Sequence, residues 1–101
     1  MNIVSLSNAP KVPINIEGYK IQSSASLEVI HLCLQQDQDI PQHTNPFDVV
    51  VILIKGLVTL NTGENRIQLA LYDTVEIEKE LNRGFINCGT EEARLVIIKK
   101  L

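Results

Sequence analysis

His31 and His43 are the two histidines of the chain, and imidazole is the side chain whose ordinary pKa lets it give and take a proton near neutral pH. Arg83 also bears on chemistry, because a guanidinium stays protonated and, once buried, demands an anion. Glu76, Glu78 and Glu80 lie close enough in sequence to supply one, so an internal or solvated ion pair stands beside a ligand-binding role for Arg83. Cys33 and Cys88 are too few for a disulfide framework and badly spaced for a zinc site. Neither has a neighbouring Lys or Arg that would favour a thiolate, so both read as small buried hydrophobes. His31 alternates with Val29 and Cys33 on one strand face, and the sequence does not say which face that is. Tyr19 and Tyr72 can each lend a hydroxyl to a pocket. No glycine-rich phosphate loop, nucleophile elbow or basic stripe with interleaved aromatics is present.

The elements that must position these groups are strands. Glu28 to Leu34, Val49 to Ile54 and Arg94 to Ile98 are β-branched or apolar runs of strand length. Shorter strand-like segments lie at Tyr19 to Gln22, Leu57 to Asn61, Ile67 to Tyr72, Thr74 to Ile77 and Gly84 to Asn87. Turn signals separate them: Gly18, Asp37 to Pro41, Thr44 to Pro46, Gly56, Asn61 to Asn65, Asn82 to Gly84 and Asn87 to Thr90. No stretch keeps a 3.6-residue apolar period, so the expectation is an all-β sandwich or barrel with little helix. With 101 residues, the chain reads as a single domain, with an N-terminal arm at 1–17 and the barrel at 18–101. The run Val49 to Ile54 is apolar on both faces. Val49, Val51 and Leu53 can fill the barrel, while Val50, Ile52 and Ile54 then need cover from a second copy or from the N-terminal segment. A homodimer is the expectation.

Net charge is −3, which gives no electrostatic reason to expect nucleic acid or an anionic membrane as partner. The longest apolar run has six residues, and the start MNIVSLSNAPK lacks a secretion pattern, so a cytoplasmic protein is expected.

Between Asp37 and Asn87 the sequence resembles a small single-domain cupin of the conserved-barrel type. The family's first motif runs Gly, five residues, His-x-His, three or four residues, Glu, six residues, Gly; here that frame holds Asp37, His43, Asn45, Val49 and Gly56. The second runs Gly, five residues, Pro-x-Gly, two residues, His, three residues, Asn; here it holds Tyr72, Glu78, Glu80, Arg83 and Asn87. The resemblance implies a double-stranded β-helix (jelly-roll) barrel.

In metal-binding cupins the two His and the Glu of the first motif, with the His of the second, hold one metal ion. Of these four the sequence keeps His43 alone, and Arg83 puts a fixed positive charge where the cation would sit. The resemblance therefore implies a barrel with no metal or other cofactor; the alternative, a divalent transition metal, would need His31 or a carboxylate to complete the site. It also sets Arg83 and His43 facing each other across the barrel, with Asn45 and Asn87 close by. The function this implies is binding of a small polar or anionic metabolite, a sugar derivative among the candidates. Two alternatives stand beside it: a metal-independent isomerase, epimerase or lyase using His43 as acid–base catalyst, and a non-catalytic dimerisation or interaction module with His43 a core residue. Tyr72 takes the family's turn-glycine position and reads as a packing residue, and Glu78 and Glu80, replacing a proline and a glycine, predict an altered turn.

Overall fold

Alternation along the strands decides which residues make the interior. The computed structural model describes residues 1–101, which form nine strands and no helix. These are β1 (Glu17–Ser23), β2 (Leu27–Leu34), β3 (Asp39–His43), β4 (Asp48–Lys55), β5 (Val58–Asn61), β6 (Arg66–Leu69), β7 (Thr74–Ile77), β8 (Arg83–Asn87) and β9 (Ala93–Lys100). They make a five-stranded sheet, β1-β2-β9-β4-β7, and a four-stranded sheet, β3-β8-β5-β6, antiparallel throughout. No helix of the chain is long and apolar enough to cross a membrane.

Val49, Val51 and Leu53 of β4 point inward and are fully buried, as the alternation predicts. Burying each such side chain contributes about 1.5–3 kcal/mol. The register stacks the inward residues in rows. In the larger sheet Glu28, Lys99 and Val49 form one row, Ile30, Ile97 and Val51 the next, and Leu32, Leu95 and Leu53 the third. In the smaller sheet His43 pairs with Arg83, then Ile40 with Phe85 and Leu60, then Asn87 with Val58 and Leu69. The third rows are tightly closed, so the barrel has a packed end and a polar end. On the outer face, Val29, Ile98 and Val50, with Val96 and Ile52, make a half-buried apolar stripe.

Strand β3 is the element that sequence patterning misses: its residues read as turn signals because Pro41 and polar neighbours break the apolar pattern. It lies at a sheet edge, where a proline costs no ladder bond, and its pairing with β8 slips between Ile40 and His43. Gly84 permits this approach, since a Cβ there would stand 2.5 Å from the Ile40 carbonyl oxygen.

Three non-glycine residues have positive φ: Asp37 (66°), Tyr72 (71°) and Glu80 (69°). They occupy the positions where the motif frame calls for glycine, so the backbone there has the conformation that glycine favours. The altered turn expected at Glu80 is therefore not seen at that residue. Its amide donates to the Asn45 carbonyl at 2.8 Å. Tyr72 is 73% exposed, contrary to the packing role read from its position. Cys88 is likewise exposed, whereas Cys33 is buried.

His31 is on the outer face of β2, 1% exposed, its ring stacked on Tyr19 with centroids 5.7 Å apart. Its Nδ1–H donates to the Leu6 carbonyl at 2.7 Å, and Nε2 accepts from Arg94 Nη1 at 3.4 Å. Arg94 Nε donates to Glu92 at 2.5 Å, and Gln35 Nε2 to the same carboxylate at 3.3 Å. The hydrogen bond from Arg94 holds the Glu92 carboxyl down to about 2, and burial followed by a bond to Glu92 pushes the Cys33 thiol up to about 12. This network pins the N-terminal arm to the sheet.

Because an αL backbone disfavours a Cβ, Tyr72→Gly and Glu80→Gly should each stabilise the fold by about 0.5–1 kcal/mol in thermal unfolding. Glu92 has a folded pKa below its ordinary 4.5, so its stabilisation is full above pH about 4.5 and is lost as pH falls toward about 2. Glu92→Gln should remove that part of the acid limb, measured as unfolding midpoint against pH.

Candidate functional site

A cavity of about 340 Å³ occupies the polar end of the barrel. Its walls are the second rows of both sheets, with Phe85, Ile30, Val51 and Ile97 among them, and Leu32 lies below. Its outer ring is the first row, Glu28 and Lys99 from the larger sheet and Arg83, His43 and Asn45 from β8, β3 and the turn after β3, joined by Lys20, which pairs with Ile30 and reaches toward Glu28. Val12, Pro13 and Ile14 of the N-terminal arm also line it, with Val12 and Ile14 beside Gly18 and Leu32, so this part of the arm lies against the cavity and not the outer apolar stripe.

Arg83 is 3% exposed and has no carboxylate partner; Glu78 and Glu80, beyond the end of β7, are exposed. The internal pairing considered from sequence is absent. Arg83 Nη1 donates to the His43 carbonyl at 3.3 Å. With the Asn45 amide oriented to satisfy both its neighbours, its oxygen accepts from Arg83 Nη2 at 2.6 Å and its nitrogen donates to the Thr44 carbonyl at 3.1 Å. Nε of Arg83 is the one buried side-chain polar atom left without a partner. Burial pushes this guanidinium below its ordinary range, with no anion opposite to hold its charge.

His43 and Arg83 are cross-strand neighbours in one sheet, not opposed across the barrel as the motif comparison implied. His43 is exposed at the rim; its Nδ1–H donates to the Pro41 carbonyl at 2.9 Å, which leaves Nε2 free. Asn87 does not line the cavity. It sits fully buried in the packed row, where Nδ2 donates to the carbonyls of Leu34 (2.9 Å) and Glu91 (2.8 Å) and Oδ1 accepts from Gly89 N–H (2.9 Å). Its amide closes the β2 end and the loop before β9, a structural role.

Sequence reasoning missed Lys20, Glu28 and Lys99. Glu28 pairs with both lysines, at 3.8 Å and 3.3 Å. Alternation from Ile30 and Ile97 would have put Glu28 and Lys99 on the inner face.

The four positions at which the family holds a metal carry an imidazole, a carboxamide, a valine and a guanidinium. That donor set does not fit a divalent cation: one strong neutral ligand faces a fixed positive charge. His31 cannot complete it, since it is on the opposite face of β2 from Ile30 and Leu32. Nowhere do three or more His, Cys, Asp or Glu side chains gather in metal-ligating geometry.

No protein-family model matches the sequence, and no curated protein matches it. Solved structures do match. The polyketide cyclase RemF from Streptomyces resistomycificus superposes with a TM-score of 0.87 at 10% identity, over 99% of this chain and 79% of that one. An uncharacterized conserved protein with a double-stranded β-helix domain from Klebsiella pneumoniae gives 0.83 at 18% identity, over 99% and 90%. A cupin superfamily protein from Desulfitobacterium hafniense gives 0.79 at 11% identity, over 97% and 99%. The chain spans 79% to 99% of these structures, and its fold, in two antiparallel sheets, is that of a small cupin, the double-stranded β-helix.

Proposed function

We propose that the barrel binds a small organic anion without a metal, with Arg83 as the anchoring cation and Asn45 and His43 beside it. One observation carries the reading: Arg83 is a buried, uncompensated guanidinium with an unpaired Nε–H on the wall of a cavity of ligand size. The ring around it supports the same sign, since Lys20, Lys99 and Arg83 outnumber the single carboxylate of Glu28. A bound carboxylate or phosphate would offset the desolvated charge of the guanidinium.

A ligand that binds only the folded chain stabilises it by mass action, about 2.7 kcal/mol at 100 times Kd, a Tm rise of about 10–20 °C for a chain this size. Screening carboxylates, phosphate esters and sugar acids by thermal unfolding should find such a ligand. The shift should survive dialysis against a chelator and vanish in Arg83→Gln. No shift across the whole set would overturn the proposal.

The free Nε2 of His43 at the rim favours a second reading, in which the same cavity runs acid–base chemistry on the bound anion. This is the isomerase, epimerase or lyase alternative, and its fold is shared with a polyketide cyclase. Incubation of the stabilising ligand in D2O should then show deuterium entering beside its carboxylate. The exchange should disappear in His43→Gln while thermal stabilisation persists; equal exchange in that variant rules His43 out as the catalyst.

A further inference from the structure

The row structure of the cavity narrows the ligand class. Charged and polar side chains gather at the first row: Glu28 and Lys99 in one sheet, His43 and Arg83 in the other, with Asn45 beside them, while Lys20, on β1 opposite Ile30, is exposed and reaches toward Glu28 at 3.8 Å. The second row is apolar in both sheets: Ile30, Ile97 and Val51 facing Ile40 and Phe85. Below it, Leu32 forms the floor, and the remaining third-row positions are packed shut. A molecule that fills this space has its charged end in the outer row and its body against hydrocarbon.

From this, and resting on the anion-binding reading above, we infer that the ligand is a monocarboxylic acid with a compact apolar body, aliphatic or aromatic, and not a sugar acid or a phosphate ester. The carboxylate lies against the Arg83 guanidinium, which lines the cavity and has no anion of its own. The body takes the place of water against Ile30, Val51, Phe85 and Ile97, where burial of apolar surface is favourable. Hydroxyl groups of a sugar acid would face these same side chains with nothing to bond, and each unpaired buried hydroxyl is costly. A phosphate has three terminal oxygens to satisfy, while Arg83 already gives Nη1 to the His43 carbonyl and Nη2 to Asn45, and Lys20 and Lys99 both pair with Glu28.

Calorimetric titration of the full chain with octanoate, 1-octanol, glucuronate and inorganic phosphate tests this. Octanoate should bind at one site, about tenfold or more tighter than each of the other three, and Arg83→Gln should weaken it about tenfold or more. Val51→Thr keeps the side-chain shape but puts a hydroxyl into the apolar row, and should weaken octanoate about fivefold. That variant and the four-ligand comparison decide the matter even where Arg83→Gln does not fold. If glucuronate or phosphate binds as tightly as octanoate, the apolar-acid assignment falls and the anion-binding reading stands. If 1-octanol binds equally well, the carboxylate contact falls. Should none of the four bind, the apolar-acid assignment is overturned, and the anion-binding reading falls with it only if the thermal screen is also negative. Octanoate affinity unchanged in Val51→Thr would put the body elsewhere and overturn the inference.

Discussion

Strand β9 is the constraint on which the rest of the barrel depends. Both β2 and β4 register against it, so a side chain that points inward on β9 fixes the row to which its neighbours on either side belong. Leu95 sets the packed row, Ile97 the apolar wall of the cavity and Lys99 the charged rim. Because the side-chain period of a strand is two residues, a slip of one position would bring Val96 and Ile98 inside and turn Lys99 outward, and no row would match the opposite sheet. The gradient from hydrocarbon to charge along the barrel is thus a property of three alternate residues on one strand, repeated by its neighbours.

Against that gradient, the position of Arg83 is costly. Taking a guanidinium out of water carries a penalty of several kcal/mol, and hydrogen bonds to a charged group return about 1.5–3 kcal/mol each. Arg83 has two such bonds, to the His43 carbonyl and the Asn45 amide, and both acceptors are neutral. Neither answers its charge. The lysines of the rim differ, since Glu28 lies between them and their side chains keep partial access to water. An uncompensated charge at a cavity wall is a cost borne by the fold that a bound anion would remove, which is why Arg83 carries the functional reading and the rim lysines do not.

The backbone around the site is more conservative than the side chains upon it. Asp37, Tyr72 and Glu80 adopt the left-handed conformation that glycine would take, and the turn at Glu80 ties back to Asn45 through its amide. The chain therefore holds Asn45 and Arg83 where a metal-binding cupin would hold ligands, and the groups it offers there are a carboxamide and a guanidinium. Gly84 shows the same economy: a Cβ would collide with the Ile40 carbonyl, and without one β3 can close against β8 beside the cavity.

Much of this was legible in the residues. Strong β-branched runs at Val49 to Ile54 and Arg94 to Ile98 favour strands, and the resemblance to a cupin between Asp37 and Asn87 points to the barrel and to His43, Asn45 and Arg83 at its site. Strand β3 was not legible, because an edge strand with a proline has no apolar pattern to read. Nor was the role of Asn87, whose amide is used by carbonyls of Leu34 and Glu91 that only folding brings to it. The face of β2 on which His31 lies follows from alternation only once Ile30 and Leu32 are known to point inward. Most of all, sequence proximity offered Glu78 and Glu80 to Arg83, and the tertiary structure withheld them: those carboxylates stay in solvent past the end of β7 while the guanidinium turns into the barrel. Residue type and spacing fix what each group can do. Which groups meet is set by the pairing of strands distant in sequence, and in this chain that pairing leaves a buried arginine without a carboxylate partner on the wall of the cavity.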